Sequence, residues 1–149
     1  MNYSKITNNL YIGTTPKAGD YNILHELGVT LVINMRIGLP PKHDPRIPPM
    51  RSVWLPVFDS PIFPIPVFVL KKGVLEALKV IDGGGVIYTH CSKGRHRGPA
   101  MGACILISQR MSPEEAMRLI KEHRPIADLK MWYIQRQIIK FSKSWEYIK

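Results

Sequence analysis

Apolar and polar residues along this chain alternate between two periods, and each change of period marks an element. Leu10-Tyr11-Ile12 before Gly13 predicts a short strand. Asp20 stands where a helix cap belongs, ahead of Ile23, Leu24 and Leu27 at helical spacing, and Gly28 then supplies a C-terminal stop. Val29 to Asn34 is almost continuously apolar, as in a strand buried on both faces. This opening of strand, helix and strand predicts a parallel crossover. Gly38 to Met50 holds five prolines and reads as a loop. Ser52 to Val57 returns as a strand, and Phe58-Asp59-Ser60-Pro61 turns away from it.

Pro66 suits a first helical turn, and Phe68, Val69, Val74, Leu75, Leu78 and Ile81 continue with helical spacing to Asp82-Gly83-Gly84-Gly85. Val86 to Thr89 predicts a central strand running into His90-Cys91-Ser92-Lys93-Gly94-Arg95-His96-Arg97-Gly98, and a helix begins near Pro99. Ser112, Pro113 and Glu115 form the N-cap, first position and third position of a capping box. A last helix follows Pro125, with Trp132, Ile134, Ile138, Ile139 and Phe141 on its apolar side. The expected fold is α/β: one domain over residues 1–149, with a mostly parallel central sheet flanked by helices.

Composition narrows the class. The chain has 149 residues, 45% of them hydrophobic, enough for one core. The longest apolar stretch, around Ile62 to Leu70, is too short for a membrane span and is interrupted by prolines. Met1 to Lys5 lacks the apolar run of an export signal. Two cysteines make a poor disulfide framework. Together these features predict a reducing, cytoplasmic setting, with Cys104 a plain core thiol. Net charge is +10, from 21 Lys and Arg against 11 Asp and Glu. That balance fits anionic partners such as phosphate esters, nucleic acid or lipid headgroups, or simply a basic surface of scattered charge.

The chemistry centres on Cys91 and Arg97, with five residues between them, in a strand–loop–helix setting. Such a loop can wrap a phosphate with inward N–H groups that continue into the first turn of a helix. The same environment favours a thiolate, which is the nucleophile. Arg97 offers a planar fork for two phosphate oxygens, and Gly94 fits a mid-loop position where positive φ is needed. Ser92, Lys93, Gly94, Arg95, His96 and Arg97 are thus the candidate substrate-binding residues. The bland reading is a core cysteine beside a surface arginine. A metal reading would use Cys91, His90 and His96, but no fourth ligand stands at sensible spacing, so no metal or other cofactor is expected. A leaving alkoxide or phenoxide needs a proton, and Asp59 is the candidate acid. Alone before Ser-Pro, it also reads as a turn former. Asp44 is the reserve, and Asp82 belongs to a turn before the strand.

Thr89 to Arg97 resembles the signature of the cysteine-dependent protein tyrosine phosphatase superfamily, and the small size resembles its dual-specificity branch. Asn9 to Gly13, Leu27 to Asn34, Asp59 and Arg124-Pro125-Ile126 are similar to further landmarks of the family. The resemblance implies a two-step mechanism without metal: Cys91 forms a cysteinyl-phosphate, Asp59 protonates the leaving group and then helps water release phosphate, and His90 orders the loop. Expected substrates are phosphotyrosine, phosphoserine or phosphothreonine in proteins. Lys93, Arg95 and His96 resemble the basic loops of members acting on phosphoinositides or other polyanions, and side chains pointing to solvent are the plain alternative. An RNA 5′-phosphatase ranks low, because no aromatic-rich RNA-binding motif is present. One departure stands out. The family usually has Ser or Thr directly after the signature arginine, and this chain has Gly98. The missing hydroxyl leaves open a phosphate-binding module of low turnover.

Overall fold

The computed structural model describes residues 1–38 and 50–148, with side chains described as far as Trp145. Five strands form one sheet: β1 (Tyr3–Thr7), β2 (Leu10–Gly13), β3 (Val29–Arg36), β4 (Arg51–Val57) and β5 (Val86–His90). Their order is β1-β2-β5-β3-β4. Only β1 runs antiparallel, as a partner of β2. The pairings β2–β5, β5–β3 and β3–β4 are parallel. The expected α/β class is therefore met, and the opening crossover is parallel. Its two strands, β2 and β3, are separated in the sheet by β5, which arrives later in the chain.

Helix α1 (Asp20–Glu26) covers one face of the sheet, packing Tyr21 and Leu24 with Tyr11, Val32 and Tyr88. Helices α2 (Val67–Asp82), α3 (Arg97–Ser108), α4 (Pro113–His123) and α5 (Trp132–Ile148) cover the other. There Leu31, Ile33 and Ile87 of the strands meet Leu70, Val74, Ala77, Met101, Ile105, Ile134 and Phe141. Alternate strand residues face opposite layers, so both faces of β3 and β5 must be apolar. Helix α3 is buried from Gly98 to Ile107. It is the central helix, and it starts where β5 ends.

Several boundaries correct the sequence reading. β1 was not expected, because Tyr3 to Thr7 alternates weakly and its pairing with β2 is a tertiary matter. Asp20 is the first helical residue, not the cap. Gly19 is the N-cap, and Asp20 Oδ2 accepts from the Lys17 N–H at 2.9 Å. Gly28 follows α1 with φ of +84° as expected. Pro66 is the extended N-cap of α2 rather than part of its first turn. The buried face of α2 is Leu70, Gly73, Val74 and Ala77, while Phe68 is 72% exposed and Leu75 is also open. Gly73 and Ala77 were not expected on this face, because small residues carry little periodic signal. Helix α3 begins at Arg97, two residues before the expected start near Pro99. In α5, Ile134, Ile138 and Phe141 are buried, but Trp132 is exposed, with Arg136 stacked over its ring. The capping box of α4 stands as read: Ser112 Oγ accepts from the Glu115 N–H at 3.1 Å and donates to Glu115 Oε1 at 3.0 Å. The reserve acid Asp44 and most of the Pro-rich loop lie outside the described residues. Asp82 ends α2, exposed to solvent.

Among the described residues no helix is long and apolar enough to cross a membrane.

Candidate active site

The site forms at the carboxyl end of β5, the middle strand, where the chain turns into α3. Open parallel sheets bind ligands at such places, because strand ends and helix N-termini converge there. Cys91 leaves β5 almost fully buried, 3% exposed. Its carbonyl accepts from the Thr15 hydroxyl at 2.9 Å, and Thr15 Oγ1 in turn accepts from Arg36 Nη1 at 3.2 Å. The segment after β2 and the last residue of β3 therefore hold the start of the loop in place. Ser92, Lys93 and Arg95 are exposed, whereas Gly94 and His96 are buried.

Gly94 has φ of +65°, and a Cβ there would lie 2.6 Å from Arg124 Nη2 and 2.7 Å from the Gly13 carbonyl oxygen. No other residue type satisfies both the backbone and the space. Arg124 lies beneath the loop, 1% exposed. Its Nε donates to the Gly94 carbonyl at 2.7 Å and its Nη2 to the Lys93 carbonyl at 3.1 Å. Its Nη1 reaches Asn2 Oδ1 at 2.9 Å and Ser4 Oγ at 3.0 Å. One planar guanidinium thus turns the loop carbonyls downward and ties them to the N-terminal segment, which leaves the opposite, N–H side of those peptides for an anion.

The N-terminus of α3 is also left for an anion. Its N-cap, His96, makes no side-chain cap, and no acidic residue stands in the first turn. A helix start normally recruits one or the other for its unpaired N–H groups. Here the first helical residue is instead the cation Arg97, which is unfavourable beside the positive end of a helix unless an anion sits between them. Arg97 Nη1 donates to the Val57 carbonyl at 3.0 Å. Its buried Nε finds no acceptor among the described residues. An orphaned buried donor costs about 1–3 kcal/mol, a cost that a bound phosphate oxygen would remove.

Asp59 lies in the segment after β4, its side chain 33% exposed. Its Oδ2 is 2.8 Å from His96 Nδ1, and its Oδ1 accepts from the Tyr133 hydroxyl at 2.7 Å. Burial pushes this carboxyl up, but the hydrogen bonds from His96 and Tyr133 and the charges of His96 and Arg97 outweigh it, and the pKa lies below the ordinary 3.8. Tyr133 is pushed up to about 12 by burial and by the Asp59 carboxylate, so it stays a donor. The fold brings Cys91, Arg97, His96 and Asp59 together; Asp82 does not join them. Of the residues involved, Tyr133, Thr15 and Arg36 were not singled out from the sequence, nor was Asp128, whose Oδ2 stands 3.9 Å from His96 Nε2, and Arg124 was noted only as part of a landmark. Apart from Arg124, none of them lies in a local motif that would have marked it.

His90 is buried behind the loop, its Nδ1 3.4 Å from the Cys91 carbonyl oxygen. Burial brings its pKa down to about 4 from an ordinary 6.5. Between those values the unfolded chain takes up a proton that the folded chain refuses. Stability is therefore complete above about pH 6.5 and drains as pH falls toward 4, by on the order of 3 kcal/mol from this residue. Thermal melts from pH 7 to 4 should show that decline, and His90→Asn should flatten it. An unchanged slope in the variant would assign the acid sensitivity to other groups. Cys104 is fully buried, and burial alone pushes its thiol well up, so it is inert core. Among the described residues no group of three or more His, Cys, Asp or Glu side chains is placed to hold a metal.

No protein-family model matches the chain. Dual specificity phosphatase 28 of mouse is 28% identical over 127 residues, covering 85% of this chain and 76% of that protein. Its human counterpart is 29% identical, covering 83% and 69%. Among solved structures, a mouse putative dual specificity phosphatase complexed with zinc tungstate superposes with a TM-score of 0.86 at 25% identity, covering 97% of this chain and 89% of that one. PTPMT1 in complex with PI(5)P superposes with a TM-score of 0.82 at 24% identity, covering 95% of each chain. The fold and these relatives define a cysteine-dependent phosphatase of the protein tyrosine phosphatase superfamily. Within that superfamily the chain is most readily compared with the dual-specificity branch, to whose named members it is similar.

Proposed function

We propose that residues 1–149 work as one phosphatase domain that hydrolyses phosphate monoesters on proteins, through a cysteinyl-phosphate on Cys91. The observation that carries this reading is the cradle itself: a buried cysteine ending the central strand, an uncapped helix N-terminus, and an arginine with an unsatisfied buried donor. Phosphate oxygens would take the N–H groups of Ser92 to Arg97 and the free edge of the Arg97 guanidinium. The Cys91 thiolate attacks phosphorus, the bond to the substrate oxygen breaks, and Asp59 gives that oxygen its proton. Water then attacks phosphorus, Asp59 takes a proton back, and the thiolate leaves. A carboxyl with a lowered pKa is protonated mainly in acid, so the first step should favour mildly acidic pH. Exposed Lys93 and Arg95 at the rim suit acidic surroundings around the phosphate. Relatives bearing protein phosphatase names, such as dual specificity protein phosphatase 14 of mouse, support protein substrates. A free thiol nucleophile also fits a reducing compartment such as the cytoplasm.

Gly98 shapes the kinetics. A side-chain hydroxyl there would donate to sulfur as the thiolate leaves, a bond worth roughly 1.5–3 kcal/mol or one to two powers of ten in rate. Without it the second step should be slow. Rapid mixing with an aryl phosphate in EDTA should give a burst of about one product per site, followed by slow turnover. Absence of any hydrolysis would sink the proposal; hydrolysis without a burst would show that the second step is not limiting. A Cβ at position 98 would lie 3.2 Å from His90 Cα and C and 3.3 Å from the Cys91 N, so β5 must yield slightly to any substitution. Gly98→Ala carries that strain without the hydroxyl. Gly98→Ser should therefore release phosphate faster than Gly98→Ala, whatever the wild-type rate.

A further inference from the structure

We propose that His96 is a positioning residue for Asp59, docking its carboxylate against the signature loop through the ring Nδ1. The inference rests on the reading of Asp59 as general acid and adds the residue that controls it. Neighbouring residues of the loop grip the Asp59 segment at two points. Arg97 Nη1 holds the Val57 carbonyl at 3.0 Å, and His96 Nδ1 lies 2.8 Å from Asp59 Oδ2. An ionised carboxylate only accepts, so Nδ1 carries the hydrogen. His96 is itself held firmly. It is buried, it is the N-cap of α3, and its carbonyl accepts from the Ala100 N–H at 2.9 Å. The Tyr133 ring meets it edge-on at 6.3 Å, while the Tyr133 hydroxyl takes the other Asp59 oxygen.

The far side of the ring is unusual. Nε2 is buried without a hydrogen-bond partner among the described residues, and Asp128 Oδ2 stands 3.9 Å away. The Asp128 N–H donates to the Arg95 carbonyl at 2.9 Å, so that carboxylate is fixed to the same loop. The ring therefore lies between two carboxylates, with Arg95, Arg97 and Tyr133 as the other ionisable groups around it. A histidine in this position does two things that a small residue cannot. It spans to Asp59, so the acid is docked before substrate arrives. It also puts a hydrogen-bond donor on the carboxylate, which favours the ionised form of Asp59. Each Asp59 oxygen keeps a second lone pair, on which the proton for the leaving group can sit.

The test compares His96→Ala and His96→Asn with Asp59→Asn and the double variant, using aryl and alkyl phosphates across pH. His96→Ala should lower kcat about tenfold for the alkyl ester, less for the aryl ester, with little change in KM. Its alkaline limb should move to higher pH, because Asp59 has lost a partner of its ionised form. His96→Asn, whose amide can still donate, should recover kcat to within about threefold while the limb stays on the alkaline side of wild type. In the Asp59→Asn background His96→Ala should cost almost nothing. A limb that does not move, or an equal tenfold loss with and without Asp59, would overturn the proposal and leave His96 as a loop support. Should His96→Ala melt early, the His96→Asn limb and the double variant of Asn at both positions decide the question. If Asp59→Asn itself keeps full alkyl phosphatase activity and its alkaline limb, the general-acid reading fails first, whatever His96 does.

Discussion

Cys91→Ser is expected to abolish turnover, lowering kcat by roughly 10⁴-fold or more while phosphate still binds. The two halves of this result have separate causes. Binding rests on backbone N–H groups, the α3 N-terminus and Arg97, and the substitution leaves all of these in place. Catalysis rests on a charged nucleophile, and a serine hydroxyl does not ionise near neutral pH as a thiol can. The hydrogen bonds described at Cys91 are made by its carbonyl, to Thr15 Oγ1 at 2.9 Å and to the His90 ring at 3.4 Å, and they do not depend on the side chain that the substitution changes. The measurement pairs a steady-state assay in EDTA with a thermal shift on added inorganic phosphate or vanadate. Loss of activity with an undiminished shift is the expected outcome. A variant that still turns over substrate would show that Cys91 is not the nucleophile.

The next largest effect belongs to Asp59. Asp59→Asn should lower kcat by roughly 10²–10⁴-fold, the usual worth of a general acid. The loss should be greatest for alkyl phosphates, whose leaving oxygen is too basic to depart without a proton. It should be smaller for a nitrophenyl ester, which leaves as a stable anion. The pH profile carries the sign. Asp59 acts as an acid only when protonated, and its carboxyl is held low, so wild-type kcat/KM should fall on the alkaline side. Asn titrates nowhere in this range, so that fall should disappear in the variant. Equal losses for alkyl and aryl esters would assign Asp59 a positioning role instead.

How much of this was legible before folding can be traced residue by residue. The signature from His90 to Arg97 is local, and its chemistry follows from residue types at short spacing. The apolar runs at Val29–Asn34 and Val86–Thr89 are equally legible, because a strand buried on both faces has no polar face to obscure it. Helix faces were less clear. Phe68 and Leu75 carry strong hydrophobic signal yet are exposed on α2, while Gly73 and Ala77 share its buried face with Leu70 and Val74. Large apolar residues dominate a periodicity count, but the close approach of α2 to α3 requires small ones: a Cβ on Gly73 would lie within 2.3 Å of Met101 Cε.

The sequence by itself marked most of the elements, the α/β class and the strand–loop–helix setting, with Cys91 and Arg97 as its candidate nucleophile and arginine. These depend on period, caps and neighbours a few positions apart. Only the tertiary structure decided who meets whom across the sheet. It placed β5 between β2 and β3, slid Arg124 under a loop some thirty residues earlier in the chain, and closed His96 and Tyr133 on the two oxygens of Asp59. Such hydrogen bonds depend on a handful of atoms brought together by packing. They impose no periodicity and no local composition, so nothing at His96 or Asp59 alone announces the pair. The acidity of the Asp59 carboxyl is accordingly a property of the fold, while the pattern of residue types from Cys91 to Arg97 is a property of the sequence.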